Sequence, residues 1–445
     1  RKRGDTYYYV FADISSGRPS SLGYATSKSP LGPFTYQGVI VDNISLNEES
    51  WNNHGSIEEV NGQWYVFFHV STNGQYLRRA CMAPIEFDEN GLIKKVDLEN
   101  EFKWEDLSVL GENKEKGHAI AFTYDNKEDA CKKKEAKTKY SLNGEWKFYY
   151  QMGTELPENF AEKQLDNTKW NTITVPSVWQ LEGYGKPYYY SSSYPQAINT
   201  KKKHIPQISH ELQEYGIYRR TFTVPEHFKE QEIFLHFGAV KAALEVYVNG
   251  KYVGYSQGSM TPHEFDITDY IENGENQVTA VVWRYSDGTY LEDQDMWFFG
   301  GIYREVYLYA EPKVTIRDFY MRADLDEKYS DAQTVLFLQL KCWDEPEDRT
   351  GITNQESYQE KIHVKASIPE RNEVLGEKEL SFDTLNQKEG KTTEIQFHHL
   401  VKNPLKWNHE QPNLYTILLE WKINGKTYYK SFRFGFRKVE VVGNI

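Results

Sequence analysis

The sequence predicts an all-β protein built of several domains, and three observations carry that expectation. Apolar and polar residues alternate at a period of two along most of the chain, as they do in strands that bury one face. Asn-Gly dipeptides, which supply the two positive φ angles of a tight hairpin turn, stand between several of the alternating runs. The chain has 445 residues, 39% apolar and 15% aromatic. That length exceeds what one core serves, and the composition is too aromatic for a disordered chain.

Taken in order, residues 7–11, 64–69, 145–150, 217–224, 243–248, 277–283, 335–343, 414–421 and 428–436 show the alternation and are expected as strands. The dipeptides Asn61-Gly62, Asn249-Gly250 and Asn424-Gly425 are expected as their turns. Helical signals are few. Residues 128–137 are helix-permissive but carry little apolar face, so they read as a solvated connector. Texture divides the chain three ways. Residues 1–100 carry short aromatic strands with Gly, Pro and Ser turns. Residues 104–312 form a longer Trp- and Tyr-rich unit, and residues 313–445, beginning just after Pro312, hold alternating strands that fit a sandwich of about 100 residues.

Charge and composition exclude several functions. Fifty-two Lys and Arg against 65 Asp and Glu leave a net charge of -13, which repels nucleic acid. Apolar runs such as 278–283 are strand-length, short of the ~20 residues a membrane helix needs. Cys81, Cys131 and Cys342 follow neither metal-ligand nor disulfide spacing. The chain opens Arg-Lys-Arg-Gly-Asp and closes on a strand-like run; both ends read as cuts, which leaves localisation undecided.

Two clusters could carry chemistry. Asn52-Asn53-His54-Gly55-Ser56 leads into the strand 64–69, where a neutral imidazole could meet an ion or water; the alternative is a polar turn with a satisfied histidine. Asp287, Glu292, Asp293 and Asp295 place four carboxylates in nine residues beside Tyr290, Trp297, Phe298 and Phe299. Oxygen ligands for a hard cation and flat faces for a sugar ring both fit this pattern, as does a solvated acidic loop.

The string Gly23-Tyr24-Ala25-Thr26-Ser27-Lys28-Ser29-Pro30-Leu31-Gly32-Pro33-Phe34, with Asn53-His54-Gly55-Ser56 and Trp64 to His69, resembles the late blades of a glycoside hydrolase family 43 five-bladed propeller. That resemblance implies a propeller remnant over about residues 1–100, with His54 facing the ring axis and meeting a calcium ion or a central water. Val70 stands where the pattern usually shows Arg, and Ala83 where a Glu is common. The family's catalytic carboxylates come from earlier blades, so this segment is expected to be catalytically dead. An arabinosidase or xylosidase propeller remnant is its alternative reading.

From Trp104 the chain resembles the large bacterial β-galactosidases of glycoside hydrolase family 2. Ser141-Leu-Asn-Gly-Glu-Trp-Lys-Phe148, Val175-Pro-Ser-Val-Trp-Gln180, Gly216-Ile-Tyr-Arg-Arg220, Val246-Tyr-Val-Asn-Gly250 and Arg284 through Trp297 carry the likeness, with Gly300-Gly-Ile-Tyr-Arg304 closing it. Pro404-Leu-Lys-Trp407, Gln411 to Tyr415 and Gly435-Phe-Arg437 mark the segment after 313. The resemblance implies a sugar-binding jelly roll at 104–312 and an immunoglobulin-like β-sandwich at 313–445. It also implies a (β/α)8 catalytic barrel that this chain does not contain. Asp295, in Asp-Gln-Asp-Met-Trp, inherits contact with the sugar and a sodium ion, and Trp297 joins it as a substrate-binding residue. Val178 occupies the place of an Asn that normally contacts galactose, and an alkyl group can neither donate nor accept.

Retaining glycosidases need two carboxyl groups ~5 to 5.5 Å apart. In the family both are barrel glutamates, with the magnesium ligands beside them, so no catalytic residue is expected here. The expected chain is therefore the non-catalytic N-terminal portion of a β-galactosidase-like enzyme whose partners are β-galactosides or other oligosaccharides. A stand-alone carbohydrate-binding module is the rival. Family members often assemble, which leaves a homo-oligomer open.

Overall fold

A computed structural model describes residues 1–14, 21–42, 53–60, 62–71, 78–96, 102–190, 208–292, 294–343, 361–381, 392–423, 425–441 and 443. Among them the architecture is all-β, and they form no (β/α)8 barrel. The chain divides into two compact units, Arg1–Lys103 and Trp104–Ile445.

The first unit holds two antiparallel meanders. Strands Lys2–Arg3, Thr6–Asp13, Ser21–Ser27 and Thr35–Asp42 form one in sequence order, and Ser56–Val60, Gln63–Ser71 and Arg78–Pro84 form the other. Alternate apolar residues of both, including Tyr8, Leu22, Tyr24, Ile40, Ile57, Val66 and Phe68, bury one shared core.

In the second unit, residues 139–312, joined by the short strand Gly111–Glu112, make a sandwich. Its larger sheet runs in the order Asn171–Val175, Gly144–Met152, Glu214–Thr223, Glu275–Trp283, Ala243–Val248, Lys251–Gln257 and Gly111–Glu112. The facing sheet contains His263–Asp266, Glu232–Phe237, Val306–Glu311 and Lys139–Ser141. Between them lie Trp146, Phe148, Trp179, Tyr218, Phe237, Leu244, Val282 and Leu308, all buried. Asn249 and Gly250 sit at φ 50° and 81°, the doubly positive pair that a two-residue hairpin turn requires. The other two expected turns each have their Asn outside the described residues.

A second sandwich follows. The strands Val314–Leu325, Ala332–Cys342 and Thr392–Val401 form one sheet, and Glu373–Ser381, Lys361–Ile368, Tyr415–Ile423 and Lys426–Phe434 form the other. Trp421 fills their core, and its indole N–H donates to the Val314 carbonyl at 3.0 Å, giving a buried aromatic the one polar partner it needs.

The two sandwiches are joined by buried charge. Glu264 receives hydrogen bonds from His118 and His236 at 2.8 Å and from the Tyr309 hydroxyl at 2.6 Å, with Arg317 at 3.2 Å. Burial alone would raise its carboxyl; the His118 and His236 bonds and the Arg317 charge outweigh burial and hold it well below the usual range. The connector expected as solvated is instead docked. Helix Lys127–Lys132 is capped by Asn126, whose Oδ1 accepts from the Glu128 and Asp129 amides at 2.9 and 3.1 Å. Ala130 is fully buried, and its carbonyl accepts from the Ser431 hydroxyl at 2.6 Å. Its Asn126 cap and the docking of Ala130 let a segment without an apolar stripe pack.

Candidate functional site

The acidic aromatic stretch begins where strand Glu275–Trp283 ends and runs into a 3-10 turn, Asp287–Tyr290, closed by a reciprocal pair of bonds between Ser286 and Thr289. Its described carboxylates do not act together. Asp287 is 5% exposed, and its Oδ1 accepts from the Gly288 amide at 2.7 Å; burial pushes its carboxyl up, against the bonds from Gln257 and Gly288. Glu292 accepts from the Ser259 amide at 2.7 Å and from the Ser259 hydroxyl, tying down the loop at 258–260. Asp293 lies outside the described residues. Of the three described carboxylates only Asp295 is exposed, and the Tyr189 hydroxyl donates to its Oδ1, which raises the Tyr189 pKa. The stretch is therefore not a wholly solvated acidic loop, and its described carboxylates do not converge into a cage.

What displays Asp295 is a small ribbon. Strands Tyr188–Tyr190 and Met296–Phe298 pair antiparallel, with Tyr189 directly opposite Trp297. Because side chains alternate across a strand, Asp295, Trp297 and Phe299 share one face with Tyr189, while Phe298 turns inward and is buried. Tyr189 is 48% and Trp297 52% exposed. Their ring centroids lie 5.6 Å apart, and Trp297 and Phe299 stack at 6.1 Å with 8° between planes. Two exposed rings and the half-buried Phe299, in a row that ends at a carboxylate, offer apolar faces to the C–H side of a pyranose and an acceptor to its hydroxyls.

The family motif residues behind this ribbon support it. Trp179 is fully buried, the Gly300 amide donates to the Gln180 side chain at 3.0 Å, and the Trp179 amide donates to the Gly300 carbonyl at 3.0 Å. Val178 is half-buried at the start of this support. Tyr189 was not singled out by sequence reading; the three consecutive tyrosines at 188–190 after Pro187 were the available signal.

A hard cation takes six or more oxygen ligands. Among the described residues no group of three or more His, Cys, Asp or Glu comes together, so Asp295 would be a single ligand of a sodium ion and not its cage. His54, in the first unit, is exposed; its amide donates to His69 Nε2 at 3.2 Å, and the two rings lie 6.0 Å apart. Two imidazoles without a gathered carboxylate are a poor donor set for calcium.

With this geometry in place, comparison with known proteins is informative. The profile of the "Glycosyl hydrolases family 2, sugar binding domain" matches residues 139–312, and that of "Glycosyl hydrolases family 2" matches residues 314–437. A beta-galactosidase of Priestia megaterium is 36% identical over 335 residues, covering 74% of this chain and 31% of that protein. One from Clostridium acetobutylicum is 31% identical over 344 residues, covering 77% and 36%. The chain thus spans about a third of the length of the curated relatives it matches. Among solved structures, Bacteroides uniformis beta-glucuronidase 2 covalently bound to cyclophellitol-6-carboxylate aziridine superposes with a TM-score of 0.50 at 21% identity, over 67% of this chain and 32% of that one, a likeness of fold.

Proposed function

We propose that this chain, which belongs to glycosyl hydrolase family 2 through its sugar-binding domain at 139–312 and its second domain at 314–437, is the non-catalytic N-terminal portion of an enzyme hydrolysing terminal β-D-galactosides. In this reading the ribbon of Tyr188–Tyr190 and Met296–Phe298 presents Asp295 and Trp297 to the sugar. The bond-breaking glutamates and the magnesium ligands belong to a barrel elsewhere in the whole enzyme. The observation that supports it best is the exposure of Asp295 at the end of the Tyr189, Trp297 and Phe299 row, in a domain whose profile is sugar-binding. Asp295 would also lend one oxygen to a sodium ion. Residues 1 to about 100 are read as a propeller remnant, supported by their two antiparallel meanders over one core; a central water suits His54 better than calcium.

The test is turnover of a chromogenic β-galactoside. The full-length gene product should cleave it and this chain alone should not. Asp295→Ala in the full-length protein should lower kcat/KM by about 10-fold or more, since a hydrogen bond to a charged group contributes ~1.5 to 3 kcal/mol. Turnover by the chain alone, or an unaffected Asp295→Ala enzyme, would end the proposal. The exposed aromatic row also favours a second reading, a carbohydrate-binding module acting alone. Saturable heat on titrating the isolated chain with galactose, lactose or xylo-oligosaccharides would favour that one.

A further inference from the structure

The ribbon that displays Asp295 has little to hold it. Each of its strands is three residues long, and a two-stranded ribbon of that size is marginal by itself in water. No tight turn fixes its register either, because its strands lie about a hundred residues apart in the chain. Beneath it, one residue past the end of strand Glu275–Trp283, lies Arg284, whose side chain is fully buried.

One guanidinium nitrogen of Arg284 donates to the carbonyl of Lys186, which leads into the first ribbon strand, at 2.7 Å, and to the carbonyl of Phe298, in the second, at 2.8 Å. The other terminal nitrogen donates to Glu214 Oε1 at 2.5 Å, and Glu214 Oε2 accepts from the Tyr150 hydroxyl at 2.6 Å. The guanidinium also lies 5.0 Å from the centre of the Tyr188 ring. Glu214 stands at the start of the central strand Glu214–Thr223, and its carbonyl accepts from the Arg284 amide at 2.9 Å. The arginine therefore ties both ribbon strands to the sandwich in one planar fork. A lysine, with one nitrogen, could not reach all three acceptors. The Arg284 contacts lie on the side of Tyr188 and Phe298, away from the face of Tyr189 and Trp297, so Arg284 does not meet a ligand there.

We infer that Arg284, oriented by Glu214 and Tyr150, is a positioning residue that sets the register and placement of the Tyr188–Tyr190 and Met296–Phe298 ribbon, and through it of Asp295, Tyr189 and Trp297. The link to sugar rests on the function proposed above; the link to the ribbon does not.

Two variants of the full chain test it by hydrogen exchange and by calorimetric titration with galactose. In Arg284→Lys, amides at 186–190 and 296–300 should exchange about 10-fold faster or more, while those of 215–223 and 276–283 keep their protection. Where the parent chain gives a saturable heat with galactose, that affinity should fall in parallel. Gly185→Ala reaches the same fork from the loop: its Cβ would lie 2.6 Å from Glu214 Oε2 and 3.0 Å from the Tyr150 hydroxyl, at φ +66°. It should loosen the ribbon in the same way, and it decides the question if Arg284→Lys does not fold. Ribbon exchange unchanged in the folded variants, or raised equally in the central strands, would overturn the inference by making Arg284 an ordinary core residue. A wild-type chain that binds no galactose, with a ribbon that loosens in Arg284→Lys, supports the positioning role and counts against the isolated chain as a self-sufficient sugar module. If the full-length enzyme also ignores Asp295→Ala, the sugar reading falls and the clamp stands.

Discussion

Gly300 shows how tightly single residues are committed behind the exposed ribbon. A Cβ at this position would lie 2.2 Å from Cζ2 and 2.6 Å from Cε2 of Trp179. That indole is fully buried against Phe148 and Tyr150 and has nowhere to swing. Gly300→Ala should therefore cost about 1 to 3 kcal/mol, the usual penalty of overpacking a filled core. Urea denaturation should show it as a lower midpoint with little change in slope, and an unaltered midpoint would mean that Trp179 has more freedom than its burial indicates. Residue chemistry made the stretch legible as carboxylates among aromatics, but it was the resemblance of Asp-Gln-Asp-Met-Trp to the family motif that singled out Asp295 and Trp297 within it. Tyr189 was not singled out, because its bond to Asp295 spans 106 positions and spacing along the chain carries no trace of it. Nor could composition reveal that Asp287 and Glu292 are each committed to separate local partners.

At the scale of elements, long alternating strands were readable and their ends less so. Residues 217–224 were expected as a strand, and the structure has Glu214–Thr223. Pro225 follows the strand and cannot donate to a ladder, which stops it on that side. On the other side Glu214 belongs to the sheet because Arg284 pairs its charge. The ribbon strands escaped altogether, since three residues hold too little periodicity to register. Helix Lys127–Lys132 was equally hard to read, because its stability comes from its cap and from Ala130 docking and not from an apolar stripe. Asn126→Ala removes the side-chain oxygen that accepts from the Glu128 and Asp129 amides. It should cost the helix about 1 kcal/mol, seen as faster hydrogen exchange at 128–133 with the flanking strands unaffected. Exchange as slow as in the parent chain would show that docking alone sustains the helix.

For the whole molecule, composition and alternation foretold the all-β class, but not how the two sandwiches of the second unit are joined. Charged residues in a strand pattern read as the solvated face, yet Lys430 and Glu311 are both buried where the sandwiches meet. Lys430 Nζ donates to Glu311 Oε1 and to the Ile316 carbonyl, each at 2.9 Å. The hydroxyls of Thr123 and Thr315 donate to Glu311 Oε2 at 2.7 and 2.8 Å. Burial pulls the Lys430 ammonium down from its ordinary pKa, and the Glu311 charge opposes that pull. Such a pair need not add net stability, but breaking it leaves a charge in a dry site without compensation. Lys430→Met should therefore cost about 3 to 5 kcal/mol, whereas Lys430→Met/Glu311→Leu should recover much of that because both desolvation penalties vanish together. The recovery should be incomplete, since Thr123 and Thr315 lose their acceptor. A double-mutant cycle in urea measures the difference. A double variant no more stable than Lys430→Met would show that packing at the joint, and not the stranded carboxylate, sets the cost. The strands that supply the pair, Val306–Glu311 and Lys426–Phe434, belong one to each sandwich. The single variant should therefore weaken both sandwiches in a single cooperative transition, read alike from the far-ultraviolet signal and from tryptophan fluorescence.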